Sequence, residues 1–283
     1  MYVLTHFVIP YCFSLFYSSC YSLATFFRGR DRGELDPVEI KKAEYLTHDA
    51  LRFGDGCFQH TVSSKNDFPE QAWADTLFMA GYFLARVGTL LDNKQYSQDA
   101  LKQFYWHIEY LQNLKTGLFY HAYNNIEKNN MSSVYWARAN AWAALTIGET
   151  CKLKIANPFD PIVPELWGAR EDQLAALVRL QAEDGLWHTV LDEPKSYTET
   201  SASCGIANAL VLNNNPLHKK YSDKALVGVL NRIDETGAVL GVSGGTAVMY
   251  DNDGYMNITN RRVQGWGQGL ALSFLVSKLK DFK

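Results

Sequence analysis

A short glycine-led phrase with an aromatic residue, and usually a histidine, recurs along the chain and sets the strongest limit on its fold. The copies are Gly56-Cys57-Phe58-Gln59-His60, Gly117-Leu118-Phe119-Tyr120-His121, Gly185-Leu186-Trp187-His188 and a weaker Gly237-Ala238-Val239-Leu240. Each of the first three follows a polar amphipathic stretch and precedes an apolar stretch rich in small residues. Intervals of 61, 68 and 52 residues are too long for the common short solenoid repeats. They predict helical hairpins closed into a ring.

Apolar periodicity and capping residues predict where the helices lie. They cover residues 37–53, 71–91, 97–114, 133–152, 164–181, 198–212, 222–233 and 263–280. Every second helix is crowded with Ala, Gly and Ser, and small side chains let neighbouring helices approach closely, as an inner ring demands. The alternate helices carry charged residues on one face, which is typical of a solvated outer ring. The prediction is an all-α toroid of helical hairpins.

Composition favours one domain over residues 1–283. The chain is 47% hydrophobic, enough for one large core. Its net charge is −3, with acids and bases interspersed, so it presents no basic face for nucleic acid. The five cysteines are odd in number and lack paired metal-ligand spacing, so neither a zinc site nor a complete disulfide framework is predicted. A cytoplasmic location is the expectation that follows.

The N-terminal segment departs from this pattern. Residues 1–27 contain no Asp, Glu, Lys or Arg and are rich in Phe, Tyr, Leu and Cys. Three interpretations stay open: a buried helix of the fold, a secretion signal or membrane anchor, and the remnant of a truncated first hairpin. A signal peptide lacks its early positive charge here, and Pro10 weakens a membrane-spanning helix. Membrane association is therefore not expected, residues 1–33 count as a divergent segment, and secretion follows only if residues 1–27 are a signal.

The starts of the predicted inner helices are expected to converge on one central pocket. They read Trp73-Ala74-Asp75, Trp136-Ala137-Arg138-Ala139-Asn140-Ala141-Trp142, Glu199-Thr200-Ser201-Ala202-Ser203 and Gln264-Gly265-Trp266-Gly267-Gln268. Three of them contain tryptophan, whose ring stacks on the apolar C–H faces of sugars, and the fourth offers a cluster of hydroxyl groups. A carbohydrate pocket is the prediction.

Five motifs, in a fixed order, carry a resemblance to a known family. They are Trp-Ala-Asp-Thr-Leu-Phe-Met-Ala at 73–80, Tyr-Trp-Ala-Arg-Ala-Asn-Ala-Trp at 135–142, Glu-Thr-Ser-Ala-Ser at 199–203, Ser-Gly-Gly-Thr at 243–246 and Gly-Trp-Gly-Gln-Gly at 265–269. Over residues 34–280 the chain resembles the unsaturated rhamnogalacturonyl hydrolases of glycoside hydrolase family 105 and the related unsaturated glucuronyl hydrolases of family 88. The resemblance implies an (α/α)6 barrel without metal or organic cofactor. It also implies hydrolysis of the Δ4,5-unsaturated uronic acid that polysaccharide lyases leave on oligosaccharides, as in pectin degradation.

The same resemblance, together with the pocket motifs, suggests the site residues. Asp75 corresponds to the catalytic aspartate of the family, and its apolar neighbours lead us to expect a raised pKa. Substrate contacts are predicted for Lys65, Trp73, His121, Trp136, Arg138, Trp142, Ser201 and Trp266. Structural alternatives stay open for several of them: a helix cap for Asp75, a loop lysine at 65, turn support by His121, and an internal ion pair for Arg138 in place of a substrate carboxylate.

The segment Glu34-Leu35-Asp36 differs from the family pattern. Family members usually continue into a complete helix whose aspartate enters the pocket as a second acid, whereas Pro37 follows at once here and opens an outer-type helix. We therefore expect about one inner helix to be missing and Asp36 to be an N-cap, with a second acid as the doubtful alternative. Two functions remain open: an active unsaturated glycuronyl hydrolase of the family 105 or family 88 type, and a shortened, non-catalytic relative that only binds sugar.

Overall fold

Helices dominate the computed structural model, which describes residues 37–60, 67–153, 155 and 160–281. The helices are α1 (Pro37–His48), α2 (Ala74–Thr76, Leu77–Gly81 and Tyr82–Leu90 in succession), α3 (Lys94–Leu111), α4 (Ala137–Lys152), α5 (Ile162–Arg179), α6 (Thr200–Asn213), α7 (Pro216–Leu230), α8 (Asn252–Met256) and α9 (Gly265–Asp281). Two antiparallel strand pairs join β1 (Arg52–Phe53) to β2 (Cys57–Phe58) and β3 (Gln71–Trp73) to β4 (Ala122–Asn124). All eight predicted helices are present, and their arrangement agrees with the predicted helical toroid.

The predicted helix ends differ from the observed ones where local capping or pairing was missed. Helix α7 begins six residues before its predicted start because the Asn215 side chain accepts from Leu217 N and Pro216 occupies the first helical position. Helix α1 ends before its predicted end because Arg52 and Phe53 pair with β2. In both places a contact decides the boundary and periodicity does not.

Small residues let the inner helices pack closely, as predicted. Helices α4 and α6 are buried along almost their whole length, and α6 also packs on α9. Gly205 of α6 faces Ala141 of α4 so closely that a Cβ at position 205 would stand 2.9 Å from the Ala141 Cβ. Inner helices with larger residues at this crossing would be forced apart.

The recurring glycines have a common conformation. Gly56, Gly117, Gly185 and Gly237 have φ angles of 116°, 77°, 86° and 84°, in the left-handed region that favours glycine. Two of them also lie against the next outer helix: a Cβ at Gly117 would stand 2.5 Å from the backbone oxygen of Asp172, and one at Gly185 would stand 2.4 Å from that of Lys224. At these two copies the sequence repeat therefore marks the point where successive hairpins meet.

Helix α2 is not α-helical throughout. Its segment Leu77–Gly81 is π-helical, and Tyr82 N donates to Leu77 O across it. This segment begins two residues after Asp75, which lies in the first turn of α2. Single π turns inside α-helices are frequent at functional sites.

The described residues contain four inner helices (α2, α4, α6 and α9) and four outer ones, compared with six of each in a complete (α/α)6 barrel. At one end of this array, α9 leaves Leu272, Val276 and Leu279 exposed. None of the helices in the described part of the chain is long and apolar enough to cross a membrane. The extent of the domain over residues 1–283 stays a prediction.

Candidate active site

Asp75 and His121 are brought together by the β3–β4 pair. Trp73 pairs with Ala122 in this ladder, and Ala74 N donates to the backbone oxygen of His121. Asp75 Oδ2 and His121 Nε2 consequently lie 3.2 Å apart, with the histidine fully buried and the aspartate side chain 13% exposed. Neither atom has a well-aligned hydrogen bond to any described residue. A buried carboxylate and imidazole that face each other with unused hydrogen-bonding capacity are suited to proton transfer.

Tyr255 of α8 orients His121 from the opposite side. Its hydroxyl oxygen lies 2.8 Å from His121 Nδ1, and the tyrosine is fully buried. Burial raises the pKa of Tyr255, so its hydroxyl stays protonated and can donate to Nδ1. The ring hydrogen then occupies Nε2, where the carboxylate of Asp75 can accept it. This arrangement predicts the tautomer of the histidine.

The charge state of Asp75 differs from the sequence-based expectation. Burial acts to raise its pKa, but the contact with His121 and the nearby guanidinium of Arg138 together outweigh burial, so the pKa of Asp75 lies below its ordinary value. The expectation of a raised pKa is therefore wrong for the protein without a ligand. At neutral pH the carboxylate is therefore ionised. A negatively charged ligand next to it would raise its pKa.

Trp73 and His60 form an aromatic wall beside this pair. Their rings stack at 4.1 Å with an interplanar angle of 5°, and the Trp73 ring meets the His121 ring edge-on at 5.1 Å. Burial lowers the pKa of His60 to about 3, so this histidine is neutral. Trp73 is itself 5% exposed and donates from Nε1 to Gln71. The stacked rings limit the access of water to Asp75. Because Trp73 is almost fully buried, little of its ring is free for a sugar to stack on.

Arg138 binds a loop of the protein itself. Its Nη1 donates to the backbone oxygen and the hydroxyl of Ser243, and its Nη2 donates to the backbone oxygen of Gly244 and the hydroxyl of Thr246. Nη1 also lies 3.7 Å from Glu199 Oε1, and both side chains are buried. The internal ion pair left open by the sequence is present. The donors predicted to hold a substrate carboxylate already have partners, so that role stays a prediction.

Glu199 organises the same loop and was not singled out by sequence reasoning. It is fully buried, caps α6 through Ala202 N, and accepts from both the backbone N–H and the hydroxyl of Ser243. Ser201 is also fully buried and donates its hydroxyl to both carboxylate oxygens of Glu199. The Ser201 hydroxyl therefore supports Glu199, and its predicted contact with substrate stays a prediction.

Three further tryptophans differ in how they can serve a ligand. Trp136 is 1% exposed and lies under the site, with the Arg138 guanidinium 4.6 Å above its ring. The indole Nε1 atoms of Trp142 and Trp266 are buried, and no described residue accepts from them. A buried donor without a partner costs about 1–3 kcal/mol. These two N–H groups are therefore candidates to bind a ligand oxygen, whereas the buried Trp136 ring supports Arg138 from below.

Comparison with known proteins places the chain in a family. The sequence profile described as Glycosyl Hydrolase Family 88 matches residues 19–282. The chain belongs to this family. The Unsaturated rhamnogalacturonyl hydrolase YesR of Bacillus subtilis is 50% identical over 243 residues, which cover 85% of this chain and 70% of that protein.

Solved structures agree with this placement. Crystal structures from Klebsiella pneumoniae and Salmonella enterica, each described as a "possible member of GH105 family", match with TM-scores of 0.85 and 0.83 and identities of 30% and 28%. They cover 91% and 95% of this chain, which in turn covers 69% and 70% of theirs. The predicted relation of this family 88 chain to family 105 is confirmed.

Sequence reasoning left some residues of the site undecided or unnoticed. Asp36 and Lys65 lie outside the described residues, so the cap or second acid at 36 and the substrate contact at 65 stay predictions. Tyr255 was missed because a single tyrosine in a polar loop carries no periodic signal. Glu199 could have been found, because an acidic residue directly before a small-residue helix is a typical N-cap.

Proposed function

We propose that this family 88 protein is an unsaturated rhamnogalacturonyl hydrolase. It removes a Δ4,5-unsaturated galacturonic acid from the non-reducing end of rhamnogalacturonan oligosaccharides. The observation that carries the proposal is the pair formed by Asp75 Oδ2 and His121 Nε2, 3.2 Å apart at the start of an inner helix. The 50% identity with YesR supports the choice of substrate.

The chemistry requires one proton donor, one water and a protected site. The unsaturated uronate is an enol ether, because its ring oxygen is bonded to C5 of the C4=C5 double bond. Protonation of C4 leaves an oxocarbenium-like centre at C5, and water adds there while losing one proton. The product is a hemiketal, which opens and releases the neighbouring sugar. One carboxyl group can supply the first proton and take the second, so the catalyst is regenerated.

Asp75 performs both transfers in this proposal. The anionic substrate raises the pKa of Asp75 when it binds, because a second negative charge nearby disfavours the ionised carboxyl. The carboxyl group thus takes up a proton as the complex forms, and it holds that proton close to C4. His121, oriented by Tyr255, presents its Nε2 hydrogen to the carboxylate that results. The histidine is a positioning group for Asp75.

Substrate recognition uses donors that have no partner within the described residues. The indole N–H groups of Trp142 and Trp266 are available to oxygen atoms of the uronate. Arg138 contributes its positive charge to the same region and fixes the loop that contains Ser243 and Gly244. Neutralising the substrate carboxylate by charge does not require Arg138 to release its loop.

The test follows the ultraviolet absorbance of the conjugated double bond of lyase-generated disaccharides. The parent protein should consume unsaturated galacturonyl-rhamnose faster than unsaturated glucuronyl disaccharides. Asp75→Asn keeps the shape and hydrogen bonds of the side chain but cannot exchange a proton at neutral pH, so kcat should fall by roughly 10²–10⁴. Thermal melting of this variant should match that of the parent within a few degrees.

Three outcomes would contradict the proposal. A constant absorbance with every disaccharide class would favour the non-catalytic sugar-binding relative. Faster turnover of glucuronyl disaccharides would favour the family 88 type of substrate. Normal turnover by a folded Asp75→Asn variant would assign the acid to another residue.

A further inference from the structure

A polar cavity of about 280 Å³ lies at the end of the β3–β4 pair. It is lined by Gln71, Asn124, Glu127, Asn129, Met131 and Tyr250. Gln71 and Asn124 are paired in the β3–β4 ladder, and the Trp73–Ala122 pair follows two residues further along the same ladder. A strand rises about 3.3 Å per residue, so this edge of the cavity lies about 7 Å from Trp73. The cavity therefore adjoins the Asp75 site.

The lining groups suit an uncharged, hydroxyl-rich ligand. The Gln71 side chain uses its oxygen to accept from Trp73 Nε1, and the Asn124 side chain uses its oxygen to accept from the backbone of the loop. The amide nitrogens of both remain as donors, with no acceptor among the described residues. Tyr250 is 79% exposed and offers a ring on which an apolar sugar face can stack. The one carboxyl group of the lining, Glu127, disfavours an anionic ligand.

The backbone around the cavity is held in an unusual conformation. Glu70, Lys128 and Met131 have φ angles of 57°, 55° and 58°, three of the five positive φ angles found for non-glycine residues in the described ranges. Asn125 connects two of these residues: its backbone N–H donates to the backbone oxygen of Glu70, its side-chain amide donates to the Glu70 carboxylate, and its side-chain oxygen accepts from the Lys128 ammonium. Non-glycine residues rarely adopt such φ angles, and those that do cluster at ligand sites. These hydrogen bonds hold the loop 124–131 in one conformation.

We propose that this cavity binds the neutral sugar residue linked to the unsaturated uronate, and that Tyr250 and Glu127 select an uncharged residue at that position. The inference rests on the proposed function, since it names the site for the leaving sugar of the same reaction. Tyr250 supplies the stacking surface. Glu127 repels a second uronate or a sulfated sugar.

The experiment compares two substrates that share the unsaturated uronate. One is the unsaturated galacturonyl-rhamnose disaccharide, and the other is the methyl glycoside of the same uronate, which has no leaving sugar. Tyr250→Ala should lower kcat/KM about 10-fold for the disaccharide and leave it unchanged for the methyl glycoside. Leu217→Ala, which removes an apolar side chain that is 75% exposed on α7, should change neither value.

A second variant tests the charge selection. Glu127→Gln should raise kcat/KM several-fold for an unsaturated digalacturonate, whose leaving sugar is anionic, and should leave galacturonyl-rhamnose unchanged. Equal effects of Tyr250→Ala on the disaccharide and the methyl glycoside, or no effect on the disaccharide, would overturn the inference alone. The absence of turnover of both substrates by the parent protein would overturn the proposed function and this inference together.

Discussion

Replacing Arg138 by Met should destabilise the protein far more than the same substitution in an exposed ion pair. Arg138 makes four hydrogen bonds to the loop 243–246 and lies 3.7 Å from the buried carboxylate of Glu199. Methionine fills most of the volume but donates to none of these atoms. The backbone oxygens of Ser243 and Gly244 lose their Arg138 donors, and Glu199 loses its positive neighbour.

The magnitude follows from these lost contacts. A buried acceptor without a donor costs about 1–3 kcal/mol, and removal of one partner from a buried ion pair costs about 3–5 kcal/mol. Glu199 keeps its donors from Ser201, Ala202 and Ser243, which limits the charge penalty. We therefore expect a loss of about 3–5 kcal/mol, which is a large share of the ~5–15 kcal/mol that stabilises a typical protein.

Urea denaturation followed by circular dichroism measures this loss. Arg232→Met is the matched control, because Arg232 and Asp184 form an ion pair at 3.4 Å with side chains that are 35% and 42% exposed. Such exposed pairs contribute about 0–1 kcal/mol. Arg138→Lys, which keeps the charge and loses the planar fork, should fall between the two.

A small loss would refute this reasoning. If Arg138→Met and Arg232→Met destabilise the protein equally, the guanidinium of Arg138 is not needed by the loop. A marked rise of KM in a fully stable Arg138→Met variant would instead assign the group directly to the substrate carboxylate.

Two further predictions test the histidine and the repeated glycines. Tyr255→Phe removes the donor to His121 Nδ1, so the ring should populate both tautomers, visible in its ¹⁵N chemical shifts, and kcat should fall several-fold with little change in KM; an unchanged tautomer would contradict the role of Tyr255. Gly185→Ala should cost more than ~1 kcal/mol in a denaturation experiment, because φ is 86° and the new Cβ meets a backbone oxygen at 2.4 Å. Gly168→Ala, in helix α5 with open space around it, should stabilise by about 0.5–1 kcal/mol, and equal effects at the two glycines would refute the argument.

Local spacing was enough to predict the ring of hairpins. The small residues near Gly205 and the repeated glycines at 117 and 185 lie where helices pack closely, and because such packing recurs along the chain, the pattern is visible in the sequence. Residues 71–73 were wrongly included in a helix, because their extended form depends on pairing with β4, about fifty residues later. Tertiary pairing overrides local propensity at such a place.

The residues of the site could be predicted from the sequence much better than their hydrogen-bond partners and charge states. The family resemblance identified Asp75 and His121 as candidates, and the structure brings them together. The contact of Tyr255 with His121 spans 134 positions, and the contacts of Arg138 with its loop span 105 or more. The pKa of Asp75 depends on His121 and Arg138, which are distant in the sequence. The apolar residues next to Asp75 in the sequence therefore led to the wrong direction for its pKa shift.

The π-helical segment Leu77–Gly81 divides α2 into a first turn that contains Asp75 and a longer part, Tyr82–Leu90, that packs in the core. A π turn accommodates one residue more than an α turn, and one residue corresponds to about 100° of rotation in an α-helix. The turn that contains Asp75 is therefore rotated by about that angle relative to Tyr82–Leu90. Deleting one residue between 77 and 81 would leave a continuous helix and swing the carboxylate away from His121. The inserted residue therefore lets the Asp75 carboxylate face His121 while Tyr82–Leu90 keeps its apolar face in the core.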